Sequence, residues 1–162
     1  MNPHKTTNIV IAGLGGQGVL KASDILADAA LRADFDVKKS ELHGMSQRGG
    51  SVSSDVRFGE AVLSPMVPAG EADFLVALAA DQVDPNRQVL KAGGVLIVPE
   101  EIPAGQLANR KSLNVALLGR LSHYLPIPEA HWLDALRAQL PEKLHEVNVQ
   151  AFRLGRSTVQ TS

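Results

Sequence analysis

The order of apolar and polar positions predicts a strand, a glycine turn, a helix and a second strand at the start of the chain. Residues 8–12 form a short apolar, β-branched run that ends at Gly13, which is typical of a buried parallel strand. Residues 19–33 carry apolar side chains at helical spacing, and residues 35–38 predict the second strand. A right-handed crossover is expected to join the two strands in one sheet.

The middle of the chain follows a different pattern. Residues 40–50 are polar and rich in glycine, which predicts a loop. Residues 51–58 alternate between apolar and polar side chains, the period of a strand with one face in water. Gly59-Glu60 followed by the run 61–64 predicts a hairpin. We therefore expect a mixed sheet that is mostly parallel and contains a β-hairpin insertion.

The second half predicts two central strands, over residues 72–78 and 95–98. Asp84-Pro85 places a capping acid before a proline, which predicts a helix that reaches Lys91 and stops at the following glycines. Three further helices are predicted over residues 112–125, 129–140 and 142–153. The fold class that follows is α/β, a three-layer Rossmann-like arrangement.

Composition adds limits to this architecture. The chain has 162 residues, 44% of them hydrophobic, and shows no repeat or linker, so we expect one domain over residues 1–162 with residues 1–7 and 157–162 frayed. Its formal net charge of −1 argues against nucleic acid or an anionic membrane surface as partner. The first apolar run is too short for a signal peptide or a membrane span, so a cytoplasmic location is expected.

The chain contains no cysteine and only five histidines. Disulfides, thiolate nucleophiles and iron–sulfur clusters held by this chain are therefore excluded. The histidines lack the paired spacing of metal ligands, so no metal site is expected.

A G-x-G-x-x-G motif, formed by Gly13, Gly15 and Gly18, lies directly between the first strand and the first helix. Free amides at a helix start favour an anion. A dinucleotide site also needs an acid after the second strand, but Asp34 and Asp36 lie before it or at its start. The Lys and Ser/Thr of a P-loop are absent as well. The motif thus indicates a ligand or partner surface, or only tight packing of the helix on the sheet.

The polar loop carries a second group of candidate residues, His43, Ser46, Gln47 and Arg48. Loops after the first two strands emerge at one edge of a doubly wound sheet, where ligands usually bind. Arg48 precedes two glycines, which suits a carboxylate, a phosphate or an acidic partner. The last glycine of a nucleophile elbow is missing, so a serine hydrolase is rejected. The alternative is an ordinary solvated connection.

Several stretches together resemble the gamma domain of the 2-oxoacid:ferredoxin oxidoreductases, and most closely the small beta-type subunit of the indolepyruvate enzymes. They are residues 9–19, 38–51, 56–59, 64–65, 70–75, 114–119 and 146–152. The segment SELHGMSQRGGS, residues 40–51, is the most specific of them, and the resemblance covers most of the chain.

The resemblance implies a role inside a larger enzyme. In that family an aryl 2-oxoacid and coenzyme A become acyl-CoA and carbon dioxide, and the electrons reduce ferredoxin. Thiamine diphosphate and the iron–sulfur clusters belong to a large partner subunit. The absence of any Gly-Asp pair, and so of the thiamine signature, agrees with that division. The resemblance assigns no cofactor to this chain alone and implies contact with ferredoxin through the complex. It leaves open whether the chain also forms a homo-oligomer.

The resemblance also implies cofactor-binding residues and no catalytic residue. These are Gly13, Gly15, Gly16, Gln17, Gly18, His43, Gly44, Ser46, Gln47, Arg48, Gly49 and Gly50. Which of them contact coenzyme A and which contact a partner chain stays open. Two alternatives remain: a stand-alone nucleotide- or CoA-binding Rossmann-like module without redox chemistry, and a stand-alone NAD(P) oxidoreductase.

The chain departs from the family pattern at residues 99–113. Family members usually carry a longer α/β segment at this place. A missing strand–helix unit would remove one edge of the sheet and change how the chain assembles with a partner.

Overall fold

The computed structural model describes residues 5–43 and 50–158, without the side chain of His43. The strands are β1 (Thr7–Leu14), β2 (Asp36–His43), β3 (Ser51–Gly59), β4 (Ala72–Ala77) and β5 (Leu90–Ile97). The α-helices are α1 (Val19–Arg32), α2 (Val83–Asn86), α3 (Leu113–Ser122), α4 (Glu129–Gln139) and α5 (His145–Ser157). Short 3₁₀ turns span Ala80–Gln82, Arg87–Val89, Pro99–Glu101, Ala104–Gln106, Arg110–Ser112 and Glu142–Leu144.

Within these residues the strands form one mixed sheet in the order β2-β3-β1-β4-β5. Strands β1, β4 and β5 are parallel, and β3 runs antiparallel to both β1 and β2. Every strand except β3 therefore points the same way, which confirms the mixed, mostly parallel sheet. The carboxy-terminal ends of β1, β2, β4 and β5 consequently lie along one edge.

The hairpin lies elsewhere than the sequence predicted. Residues 61–64 form no strand, and the antiparallel neighbours of β3 are β1 and β2. Side chains of the sheet hold this stretch instead: Asp36 Oδ2 accepts from the Val62 amide at 2.7 Å, and Arg57 Nη1 donates to the Ser64 carbonyl at 2.8 Å. The backbone of residues 61–64 is thus anchored to polar side chains rather than paired in a ladder.

The four longer helices lie on one side of the sheet, where α1 and α3 contact the strands, α4 packs on α1 and α5 packs on α3. Ile9, Ile11, Val56 and Phe58 of the sheet share one apolar core with side chains of all four helices. On the opposite face Val10, Ala12 and Leu75 form a smaller core with Val67 and Val89. The third layer is therefore built from irregular segments and the short helix α2.

Helix α2 is much shorter than the helix predicted to reach Lys91. It spans four residues between two 3₁₀ turns, and β5 already begins at Leu90. The register between β4 and β5 shifts near Gly94, where a Cβ would lie 3.0 Å from the carbonyl oxygens of Ala72 and Lys91. Gly93 and Gly94 therefore shape an irregular strand instead of ending a helix.

Helices α3 and α5 approach each other until their backbones touch. A Cβ on Gly119 would collide with the Phe152 carbonyl, and a Cβ on Gly155 would collide with the Ala116 carbonyl. Only glycine at both positions permits this crossing, and it lets Phe152 reach the core beside Trp132, with 5.5 Å between ring centroids.

The connection between β5 and α3 contains no strand and is fixed by an ion pair between a buried arginine and a partly exposed glutamate. Arg120 of α3 is 1% exposed, and its Nε donates to Glu101 Oε1 at 3.1 Å. Glu101 Oε2 accepts from the Val98 amide at 2.8 Å, and Arg120 Nη2 donates to Tyr124 Oη at 3.2 Å.

In the described part of the chain, no helix is long and apolar enough to cross a membrane.

Candidate functional site

The backbone geometry at the end of β1 and in the loop after it requires glycine at three positions. Gly16 and Gly18 have φ of +88° and +81°, in the left-handed region that favours glycine. At Gly13 a Cβ would lie 2.8 Å from Val19 Cγ2 and 3.1 Å from Leu78 Cβ. The motif therefore turns the chain sharply and lets α1 and the end of β4 pack closely on β1.

Gln17 closes this loop on itself. The Gln17 side-chain oxygen, Oε1, accepts a hydrogen bond from the Leu14 backbone amide at 2.7 Å. The Gln17 backbone amide donates to the Leu14 carbonyl at 3.1 Å. These contacts fix the loop conformation, so the Gln17 side-chain oxygen has a positioning role in this structure.

The two predicted motifs meet at the same edge of the sheet. The Gly15 amide donates to the Gly50 carbonyl at 2.9 Å. Leu14 lies opposite Ser51, and His43 lies opposite Val52, so the ends of β1 and β2 flank the start of β3. We call this edge, formed by residues 15–18, 43 and 50–51, the glycine rim.

Part of the second motif lies outside the described residues. These residues are Gly44, Ser46, Gln47, Arg48 and Gly49. Their contacts, and those of the His43 side chain, stay predictions. The hydrogen bond of Gly50 nevertheless ties the end of this segment to the glycine loop.

A cleft of about 670 Å³ opens on one side of the glycine loop. The loop residues 16–18 form one wall, Leu78 after β4 forms the floor, and the connection between β5 and α3 forms the other wall through Ile102, Leu107, Arg110 and Lys111. Sequence analysis assigned no role to this second wall. In the sequence, the two adjacent basic residues just before α3 were the feature that could have indicated this wall. Their position beside the glycine loop depends on the fold, so the sequence alone did not reveal it.

Asn114 joins the two walls of the cleft. It is 7% exposed, its Nδ2 donates to the Gly18 carbonyl at 3.1 Å, and its Oδ1 accepts from the Val115 amide at 2.9 Å. An amide side chain among the apolar residues of the first two turns of α3 was the signal in the sequence for this contact.

A second depression of about 450 Å³ lies on the other side of the glycine loop. It is lined by loop residues together with Leu20, Lys21 and Val52. The glycine loop therefore forms a ridge between two concave surfaces, one facing the connection before α3 and one facing the start of β3.

The carboxylates with shifted pKa values lie away from this ridge. Burial raises the pKa of Asp55, against the opposing effect of the hydrogen bond from the Val67 amide. The hydrogen bond from the Val62 amide lowers the pKa of Asp36. Both carboxylates accept hydrogen bonds from the segment between β3 and β4 and anchor it to the sheet. Their protonation therefore affects how this segment is held and not the chemistry of the glycine loop.

Metal-binding side chains do not gather in the described residues, where no three His, Asp or Glu side chains could hold an ion together. The sequence has no cysteine, so its donor set does not fit an iron–sulfur cluster. The chemistry that the described site offers is backbone hydrogen bonding, apolar contact and the positive charge of Arg110 and Lys111.

Comparison with known sequences places this geometry in context. A family model described as Pyruvate ferredoxin/flavodoxin oxidoreductase matches residues 8–158. The indolepyruvate oxidoreductase subunit IorB of Thermococcus kodakarensis is 36% identical over 193 aligned residues, covering 93% of this chain and 95% of that protein. The 2-oxoglutarate synthase subunit KorC of Methanocaldococcus jannaschii is 27% identical over 171 residues, covering 91% of this chain and 90% of KorC.

Solved structures share the fold. The gamma subunit of a keto/oxoacid ferredoxin oxidoreductase from Geobacter sulfurreducens superposes with a TM-score of 0.78 at 25% identity, covering 92% of this chain and 95% of that one. A 2-oxoglutarate:ferredoxin oxidoreductase from Magnetococcus marinus, solved with 2-oxoglutarate, coenzyme A and succinyl-CoA bound, has a TM-score of 0.82 at 23% identity and covers 95% of this chain and 31% of that one.

The comparisons also bear on the length of the chain. The alignment with the Thermococcus subunit spans 193 positions, whereas this chain has 162 residues. That subunit therefore contains residues without a counterpart here. The family match nevertheless extends from β1 to the end of α5 and includes the glycine loop. The chain belongs to the pyruvate ferredoxin/flavodoxin oxidoreductase family.

Proposed function

We propose that the chain is the small subunit of a 2-oxoacid:ferredoxin oxidoreductase of the indolepyruvate type. In this role it supports the CoA-dependent oxidative decarboxylation of an aryl 2-oxoacid to an acyl-CoA, with the electrons passing to ferredoxin. The identity to IorB subunits over most of the chain supports the substrate class.

The observation that carries this proposal is the hydrogen bond from Gly15 to Gly50. It joins the glycine loop to the segment that most specifically resembles the family, so both motifs contribute to one surface. Loop amides and the Arg48 guanidinium suit the phosphates of coenzyme A or a carboxylate of a partner chain. The glycine rim is thus proposed to border the coenzyme A approach in the assembled enzyme.

The remaining chemistry belongs to a large partner subunit in this proposal. Thiamine diphosphate and iron–sulfur clusters would be held there, because this chain has neither the thiamine signature nor a cysteine ligand. The chain itself would orient the anionic end of coenzyme A and exclude water at the contact between subunits.

Reconstitution of the complex tests the proposal. A candidate large subunit, one that carries the thiamine and iron–sulfur motifs, is purified with and without this chain, and ferredoxin reduction is measured with indolepyruvate and coenzyme A. The proposal expects activity to require this chain and the chains to co-purify. Activity of the large subunit alone at the full rate, or no association between the chains, would contradict it.

A variant pair localises the effect to the glycine rim. Gly18→Val introduces a side chain at a left-handed position packed against Asn114, whereas Gly105→Val fills open space. Loss of activity in the first variant only, with both chains still folded by circular dichroism, would support the rim as the functional surface. Equal activity of the two variants would contradict that placement.

A further inference from the structure

The two edges of the sheet differ in how they are closed. Strand β5 forms one edge, where the register is irregular near Gly94 and the Val98 amide already donates to the Glu101 carboxylate. Strand β2 forms the other edge and pairs with β3 in one unbroken register over all eight of its residues. Among the described residues, no strand covers the outer side of β2. An edge of this length can accept a further strand.

The alternation of hydrogen bonds across the sheet identifies the backbone groups that face outward from β2. The Gly15 amide donates to the Gly50 carbonyl, so in β3 the even-numbered residues bond to β1 and the odd-numbered residues bond to β2. In the register between β2 and β3, the even-numbered residues of β2 therefore bond to β3. The amides and carbonyls that point away from the sheet belong to Val37, Lys39, Glu41 and His43.

The charges along β2 are complementary to those of the same strand running antiparallel. Lys39 and Glu41 lie on the face that carries α1, and their side chains are 33% and 34% exposed. Lys39 Nζ contacts Glu41 Oε1 of its own chain at 3.0 Å. When two copies pair with Ser40 opposite Ser40, each Lys39 lies directly opposite Glu41 of the other copy. Opposite charges at such positions stabilise a pair of strands.

The neighbouring registers lack this complementarity. A shift by two residues, the smallest that keeps the outward groups opposed, places Lys39 opposite Lys39 or Glu41 opposite Glu41, and like charges directly opposite destabilise. The favourable register also places Leu42, which is 52% exposed, opposite Lys38 of the other copy on the other face of the sheet. The aliphatic part of a lysine side chain can cover such a leucine. The charges of β2 thus disfavour an unrelated strand and favour a second copy in one register.

We propose that two copies of the chain associate through β2, antiparallel and with Ser40 opposite Ser40, and join their five-stranded sheets into one continuous sheet. A two-fold axis relates the copies, so the same surface of each forms the contact. Because the joined strands are antiparallel, the two glycine rims lie at opposite ends of the contact. The inference goes beyond the proposed function, because it concerns two copies of this chain and needs no large subunit.

The mass of the isolated full-length chain in solution tests the association. Gel filtration with light scattering, at concentrations up to millimolar, should give the mass of two chains for the wild type. Lys39→Glu places carboxylates opposite each other at two points of the contact, and Glu41→Lys does the same with ammonium groups. Each should raise the dissociation constant of the dimer about tenfold or more. Lys143→Glu is the matched control, because it makes the same charge change at an exposed turn before α5.

A mixture of the two charge variants tests the register. The edge of the Lys39→Glu chain carries two carboxylates in place of one, and the edge of the Glu41→Lys chain carries two ammonium groups. The proposed register therefore opposes unlike charges only when one copy of each variant pairs. We expect each variant alone to be monomeric and the mixture to form a dimer of one chain of each kind, measured by native mass spectrometry. Circular dichroism checks that both variants are folded.

Amide hydrogen exchange locates the contact within the strand. In the wild-type dimer, the outward amides of Val37, Lys39 and Glu41 should exchange as slowly as the inward amides of Lys38 and Ser40. In the Glu41→Lys variant the outward amides should exchange faster, whereas the inward amides stay protected by β3. Equal exchange of the outward amides in the wild type and the variant would place the contact elsewhere and overturn the proposal.

The remaining outcomes are separate from those of the reconstitution experiment. A wild-type chain that is monomeric up to millimolar concentration overturns the association, even if it supports ferredoxin reduction. A dimer of unchanged stability in both charge variants also overturns it. A dimer that is lost in each variant, kept in the Lys143→Glu control and regained in the mixture supports it, even if no large subunit is activated by this chain.

Discussion

The contact between α3 and α5 allows a test in which two physical effects have opposite signs. Gly155 lies inside helix α5, where alanine is intrinsically favoured over glycine by about 1 kcal/mol. A Cβ there would collide with the Ala116 carbonyl and lie 2.9 Å from the Arg120 amide nitrogen. Both atoms belong to backbone, so no side-chain rotation relieves the collision. The helices must separate, and Phe152 and Arg120 would lose packing with them.

The expected result is that the collision outweighs the helix propensity. Overpacking of a core by one carbon costs roughly 1–3 kcal/mol, and separating two helix backbones is at the upper end. Subtracting about 1 kcal/mol for propensity leaves Gly155→Ala destabilised by about 2 kcal/mol. For a domain of this length that corresponds to a fall in Tm of roughly 4–8 °C.

Thermal and urea unfolding followed by circular dichroism measure this difference. Gly105→Ala is the matched control, because its Cβ would meet nothing within 4 Å. The control should be neutral or slightly stabilising through the entropy of the unfolded chain. If Gly155→Ala is as stable as the wild type or more stable, the close approach of α3 and α5 described above is wrong.

Three further predictions concern the site and its anchors. Asn114→Ala should lower the free energy of unfolding by about 1–3 kcal/mol, because the buried Val115 amide loses its acceptor and the Gly18 carbonyl one donor; denaturant unfolding measures it, and a cost no greater than that of Gln106→Ala, at an exposed position of the preceding connection, would refute the anchoring role. Burial raises the pKa of Asp55, so its contribution to stability is fully present below the ordinary value of 3.8 and is lost as pH rises through the higher folded-state pKa. Relative to the wild type, Asp55→Asn should therefore be more stable at neutral pH than below that value, and a pH-independent difference in urea unfolding would contradict this sign. Arg48→Ala should weaken the binding of the large subunit or of coenzyme A by about 1.5–3 kcal/mol, measured by calorimetry with Arg87→Ala as control; unchanged affinity would remove Arg48 from the proposed surface.

The elements with regular apolar spacing were predictable from the sequence. Strand β1, helix α1 and helices α3, α4 and α5 all lie close to their predicted positions. Strand β2 was predicted only in its first residues, because polar side chains occupy its inner face. Lys39 lies there between Asp24 of α1 and Glu41, and an ion cluster of this kind hides the period of a strand.

The candidate site was predictable only in part. A crossover from β1 to β2 implied that the two motifs share an edge, and the Gly15–Gly50 hydrogen bond joins the described end of the second motif to the first. The residues of the opposite wall, Arg110 and Lys111, are about 95 positions distant from the glycine loop in sequence. No local pattern relates such distant segments. Their proximity depends on how α3 packs beside the start of α1.

The way the connection between β5 and α3 is fixed has a consequence for how the family varies in length. Glu101 secures its beginning, and Asn109 and Asn114 secure its end. Residues 103–106 within this stretch are exposed, so extra residues there would add little loop-closure entropy and would leave the core contacts of Ile102 and Leu107 in place. A longer relative could gain or lose a whole supersecondary unit at this place while keeping the same scaffold. Each such change would alter the shape and the residues of one wall of the cleft beside the glycine loop.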